Sequence, residues 1–158
     1  MRNRVRVWLV SYGVAAVVFW VIDLAWIAAV ANNLYRSQIG HLLATQANVG
    51  AVVLFYVGYV AGIVHFGVQP HRPSATLGQR VGGAALFGLF SYGTWALTAL
   101  AVLKEVPVLI AVTDIAWGVA VCSTVTVVTA TILRRTLADQ GLGRVTDQSR
   151  VDNPRRMP

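Results

Sequence analysis

The chain has 158 residues, enough for one domain, and 56% of them are hydrophobic while only 12% are charged. Soluble domains are roughly a quarter charged, so this composition excludes an ordinary soluble fold and points to a membrane protein. Thirteen Lys and Arg against six Asp and Glu give a net charge of +7. The basic residues lie mostly between and beyond the apolar runs, where they read as topology signals, so no nucleic-acid partner is expected.

Four runs have the roughly 20 apolar residues needed to cross a hydrocarbon core. They cover residues 7–31, 49–68, 81–103 and 108–133. Backbone polar groups in lipid must be satisfied within their own segment, so each run is predicted to be a helix. The expected fold class is all-α, a four-helix transmembrane bundle. Residues 1–139 form the integral membrane domain and residues 140–158 a disordered cytoplasmic tail, polar and rich in Gly, Pro and charge.

The first run follows Arg2, Arg4 and Arg6 and could be read as a secretory signal cleaved after Ala29-Val30-Ala31. Its 25 apolar positions exceed a signal core, and it holds Asp23, Trp8, Trp20 and Trp26. It is therefore read as a retained membrane helix. A carboxylate at this depth is costly in hydrocarbon and marks a site by default.

Between the first two runs, Leu34, Tyr35, Ile39, Leu42 and Leu43 recur at helical spacing among Arg36, Gln38 and His41. This predicts a short amphipathic helix at the outer interface. Gln69-Pro70-His71-Arg72-Pro73-Ser74 is a turn on the inner side, and Lys104-Glu105-Val106-Pro107 a tight turn on the outer side. Small residues mark close packing: Gly58-x-x-x-Gly62 in the second run, and Gly82, Gly83, Ala84-x-x-x-Gly88 and Gly93 in the third. Of the 13 Lys and Arg, only Arg36 and Lys104 fall on the outer side if the N-terminus is cytoplasmic. That bias places both termini in the cytoplasm and disfavours a dual-topology transporter.

The fourth run repeats the first. Asp23-Leu24-Ala25-Trp26 is echoed by Asp114-Ile115-Ala116-Trp117, with each Trp on the face of its Asp. At 1.5 Å rise per residue, both carboxylates lie roughly 9–12 Å below the outer ends of their helices. Tyr56 and Tyr59 in the second run and Trp95 and Thr98 in the third fall near that level. The candidate binding site is therefore Asp23, Trp26, Tyr56, Tyr59, Trp95, Thr98, Asp114 and Trp117. Two adjacent carboxylates do not both ionise cheaply, so either one is held protonated or a cation sits between them. The competing reading is structural. The two Asp side chains would clasp the bundle by bonding hydroxyls, helix ends or indoles, and the Trp residues would form an outer aromatic belt.

Cys122 is the only cysteine; it permits no internal disulfide and no cysteine-built zinc site, and in an apolar run it reads as a buried thiol. His41, His65 and His71 lack ligand spacing, so no metal is expected. The threonines of the fourth run can bond their own backbone. No phosphate loop, triad spacing or zinc-protease motif is present. No catalytic residue and no cofactor is therefore assigned, and enzyme activity is not favoured.

The ordered motifs Phe19-x-x-x-Asp23-x-x-Trp26, Phe55-Tyr56-x-x-Tyr59-x-x-Gly62-Ile63, Tyr92-Gly93-Thr94 and Asp114-x-x-Trp117-Gly118 resemble a family of small bacterial multi-pass membrane proteins. That family is catalogued as domain of unknown function 2177, and the resemblance runs from Val7 to Leu133. It implies a multi-pass protein of a bacterial inner membrane and carries no activity with it. It also suggests a link to lipid-modifying enzymes. Where the family usually reads Tyr-Asp-Leu-Thr-Asn, this chain has Trp95-Ala96-Leu97-Thr98-Ala99, so a site of three carboxylates would keep two here.

Three functions follow as expectations. The first is a membrane protein whose Asp, Trp and Tyr pocket binds a small or lipidic ligand or assists lipid modification. The second is a small cation- or proton-coupled transporter working as a homo-oligomer. The third is a structural membrane subunit without ligand. Membrane lipid is the expected partner in each.

Overall fold

The computed structural model describes the backbone of residues 2–151 and the side chains of residues 4–136. Among the described residues the chain is helical between its loops, with no strand. Four helices are long and apolar enough to cross a membrane: Arg4–Leu42, Val49–Val68, Leu77–Val102 and Val108–Thr136. Large apolar side chains point outward along all of them, including Leu54, Val102 and Phe90. Water would not tolerate a surface this apolar, whereas lipid does.

The first helix is longer than its apolar run. Helix α1 covers Arg2–Trp26, a π-helical segment covers Ile27–Ala31, and helix α2 covers Asn32–Ile39. The caps between these pieces are all right-handed helical, so the three form one continuous helix. The amphipathic stretch predicted after Ala31 is present and is the direct extension of the first span. No Gly or Pro interrupts residues 27–39, so nothing stops the helix before Gly40. At 1.5 Å per residue, Arg4–Leu42 measures roughly 60 Å, about twice the hydrocarbon thickness. Its far end therefore projects beyond the span.

Helix α3 covers Val49–Gly62 and continues as a π segment, Ile63–Val68. Asn48 caps its start by accepting from the Ala51 amide at 3.1 Å. Gln69 ends it in the left-handed region (φ 47°), its amide bonded back to the Val64 carbonyl at 2.8 Å. Helix α4, Leu77–Val102, starts with a capping box: the Gln79 amide donates to Thr76 Oγ1, and the Thr76 amide donates to Gln79 Oε1. Arg80 ties the inner turn together by donating to the carbonyls of Ala75, Gln69 and Arg72. Helix α5 begins at Val108 after the Pro107 turn and runs to Val151. The helix thus continues past Leu133, where the apolar run ends; residues 152–158 of the expected tail lie outside the described residues.

The core is aliphatic and aromatic, built from Ala15, Phe19, Tyr59, Val60, Ile63, Val64, Ala84, Val121, Cys122 and Val125. Helices α4 and α5 form the tightest pair. A side chain at Gly88 would strike the backbone of Gly118, so the two helices touch backbone to backbone there. The π segment Ile63–Val68 packs on both α4 and α5, and Gly67 lies against Thr126 and Ala84. Helix α3 itself runs closest to α1 and to its own continuation, and it meets α4 and α5 through side chains, Gly62 against Phe87 and Tyr59 against Ser91 and Cys122. Of the spaced pair in this span, Gly62 abuts the Phe87 ring and Gly58 faces open space.

Candidate functional site

Asp23 and Asp114 are both buried, each 6% exposed. They line a single cavity of about 370 Å³. Its wall comes from every span: Trp26, Ile27, Ala31, Asn32 and Tyr35 of the first, Phe55 and Tyr56 of the second, Tyr92 of the third and Trp117 of the fourth.

The two carboxylates have different partners. Tyr56 donates its hydroxyl to Asp23 Oδ2 at 2.5 Å, and the Trp117 indole N–H donates to Oδ1 at 3.3 Å. Tyr35 donates to Asp114, its oxygen 2.5 and 2.6 Å from the two carboxylate oxygens. Hydrogen bonds to a charged acceptor are short and strong, and in a medium without water they supply what hydration otherwise would. The two Asp-x-x-Trp motifs also interlock. Trp117 bonds the Asp of the other motif, and its ring stacks on Trp26 at 4.2 Å with an interplanar angle of 7°. Trp26 makes no corresponding bond to Asp114; Tyr35 takes that place.

Tyr35 reaches Asp114 because of the local backbone. The π segment Ile27–Ala31 bonds i to i+5 and inserts an extra residue into the turn. This shifts the register of everything beyond it, so α2 presents Tyr35 toward α5 while α1 presents Asp23 to the same cavity. The sequence reading placed Tyr35 on the apolar face of an interfacial helix and did not assign it to the site. The uninterrupted helical stretch from Trp26 to Ile39 was the available signal.

Of the eight residues expected at the site, Asp23, Trp26, Tyr56, Asp114 and Trp117 come together. Tyr59 lies deeper, buried, with its hydroxyl 3.1 Å from Ser91 Oγ and 3.0 Å from Cys122 Sγ. Cys122 is the buried free thiol that its setting implied. Trp95 and Thr98 do not join the cavity. Trp95 is 62% exposed and Thr98 faces outward. The reason is visible in α4. Ser91, one turn before Trp95 on the same face, is covered by Tyr59 of α3. Trp95 itself is left uncovered, facing away from the cavity. Ala96 and Ala99 are buried.

Phe55 and Tyr92 complete the wall and were also missing from the expected set, although both stand in the quoted motifs. No Lys, Arg or His lines the cavity. Among the described residues, no group of three or more His, Cys, Asp or Glu side chains could hold a metal ion. The ion pair present among them, His41 with Glu105 at 3.3 Å, is exposed and joins the two loops at the far end of the bundle. Such a surface pair contributes little to stability.

A family model described as a predicted membrane protein (DUF2177) matches residues 8–131. No curated protein and no solved structure matches the chain.

Proposed function

The chain belongs to the DUF2177 family of predicted membrane proteins, and on that premise we propose that it is a membrane-embedded binding protein whose Asp- and aromatic-lined cavity receives a small or lipidic ligand. One observation carries this reading: two buried carboxylates from different helices share one open cavity instead of being packed over. A purely structural clasp needs no space beside its carboxylates, and side chains packed over them would add contacts. About 370 Å³ falls within the range of small-molecule sites.

The basic residues support an orientation with both termini in the cytoplasm, since only Arg36 and Lys104 lie at the other end. In that orientation the cavity faces the outer leaflet of the membrane. Phe55 belongs to the cavity wall and is exposed on its other side, which supports access from the side, through lipid.

Native mass spectrometry of the protein extracted in detergent tests the reading. A bound species should accompany the wild type and be lost from the Asp23→Asn, Asp114→Asn double variant while that variant keeps its helical circular dichroism. A species held equally by both proteins, or by neither, would sink the cavity as a binding site.

A further inference from the structure

We infer that the group this cavity recognises is an alkylated ammonium cation, carried by an amphiphile or by a free amine. The inference rests on the reading of the cavity as a binding site and adds its chemistry. Asp23 and Asp114 supply acceptors from two sides, and every protein group bonded to them is a neutral donor: Tyr56, Trp117 and Tyr35. No basic side chain lines the cavity to balance them. In a low-dielectric setting two such carboxylates are balanced either by a proton on one of them or by a cation, and the space and aromatic wall beside them favour the cation.

The rest of the wall says which kind of cation. Trp26, Trp117, Phe55 and Tyr92 present aromatic rings to the same space. Trp26 and Trp117 are stacked on each other, so the ammonium would sit beside that pair with Phe55 and Tyr92 around it, its alkyl substituents against the aromatic wall. A hard metal ion would instead need about six oxygen ligands. The carboxylates here already accept from tyrosines, and the remaining surface is largely carbon. An anionic or a purely hydroxylated headgroup would leave the carboxylates facing like charge or facing nothing charged. Phe55, part of the wall, is 44% exposed, so the cavity opens beside α3. An alkyl chain attached to the ammonium would leave through that side and lie in lipid.

Tryptophan fluorescence of the full chain in maltoside micelles tests this with three probes: tetramethylammonium, octyltrimethylammonium and the neutral octyl glucoside. Saturable quenching by the two cations should be at least about tenfold tighter than by octyl glucoside. A further gain from the octyl tail identifies a membrane amphiphile as the source; equal affinity of the two cations identifies a soluble amine. Either result upholds the ammonium assignment. The probe comparison on the wild type needs no variant, and the Asp23→Asn, Asp114→Asn double variant adds that cation binding should fall at least about tenfold. If that variant does not fold, Trp26→Ala replaces it, with the cations weakened more than octyl glucoside. Octyl glucoside binding as tightly as the cations would overturn the ammonium assignment and leave the pocket standing. Saturation by none of the three would overturn both.

Discussion

The same helices meet in two ways along the bundle. Near the turn at Gln69, small residues let backbones close up: Gly67 lies against Thr126 and Ala84, and Gly83 against the Phe66 carbonyl. Toward the other end, α3, α4 and α5 face one another through Tyr56, Tyr92 and Trp117 and leave a cavity holding two carboxylates. In lipid no hydrophobic drive pushes helices together, so close packing needs small residues and contact by van der Waals forces. Beside the contact of Gly88 in α4 with Gly118 in α5, the large rings Tyr56, Tyr92, Trp26 and Trp117 line a space that the small residues elsewhere in the bundle do not leave. The difference teaches that the cavity is built by the choice of side-chain size along otherwise similar apolar helices.

The sharpest way to break the comparison is to enlarge a residue where the packed region begins. Gly88→Leu would drive a side chain into the Gly118 backbone, which cannot move aside as a side chain could. We expect a loss of about 3 kcal/mol or more and little folded protein. Monodispersity and the thermal midpoint in detergent report this, and a wild-type midpoint would mean that α4 and α5 do not approach there.

The open end should depend on its hydroxyl donors. Tyr56→Phe and Tyr35→Phe each remove the hydroxyl that serves a buried carboxylate, at about 1.5–3 kcal/mol. Their effects should differ in place. Tyr35→Phe should speed hydrogen exchange over residues 32–39, where it frees α2 from α5, whereas Tyr56→Phe should leave that segment protected. Equal exchange patterns in the two variants would argue against separate tethers.

At the boundary between the two regions, Tyr59→Phe removes neutral bonds to Ser91 and Cys122 and should cost about 1 kcal/mol by thermal denaturation. A loss as large as that of Tyr56→Phe would show that Tyr59 belongs to the charged site after all.

Trp95→Ala should change stability by less than about 0.5 kcal/mol, because the ring faces outward and touches no part of the cavity. It should also leave ligand retention in native mass spectrometry unchanged; loss of the bound species would put Trp95 back in the wall.

The smallest effect lies at the packed end's rim. A partial loss of hydration first, then the neighbouring His65, Arg72 and Arg80, holds the His71 imidazole below the usual histidine range. The folded protein therefore favours the neutral ring. Its contribution is present above the ordinary histidine value and fades as pH falls through that value toward the lower folded one. The side chain is exposed, so solvent screens the effect. An NMR titration of His71 should show a midpoint below that of a histidine in a model peptide; a midpoint above it would contradict the arrangement.

Much of the architecture was legible in the sequence because lipid imposes simple demands. Twenty apolar residues without a breaker must be a helix, and the four runs at residues 7–31, 49–68, 81–103 and 108–133 correspond to the four spans observed. The repeated Asp-x-x-Trp marked two helices whose carboxylates now line one cavity. Depth alone selected Trp95 and Thr98, and depth says nothing about which way a face points. Tyr35 was hidden for another reason. Periodicity at 3.6 residues carries a face forward only while the helix keeps that period, and the π segment at Ile27–Ala31 breaks it.

The sequence by itself determined that this is an all-helical membrane protein with four spans and two buried carboxylates, because hydropathy and length are local properties of each run. Only the tertiary structure decided who meets whom. It gave Trp117 to Asp23 and Tyr35 to Asp114, and it left Trp95 outside the cavity they line. Those pairings depend on helix register and on the size of residues facing each other across the bundle, and neither is a property of any single run.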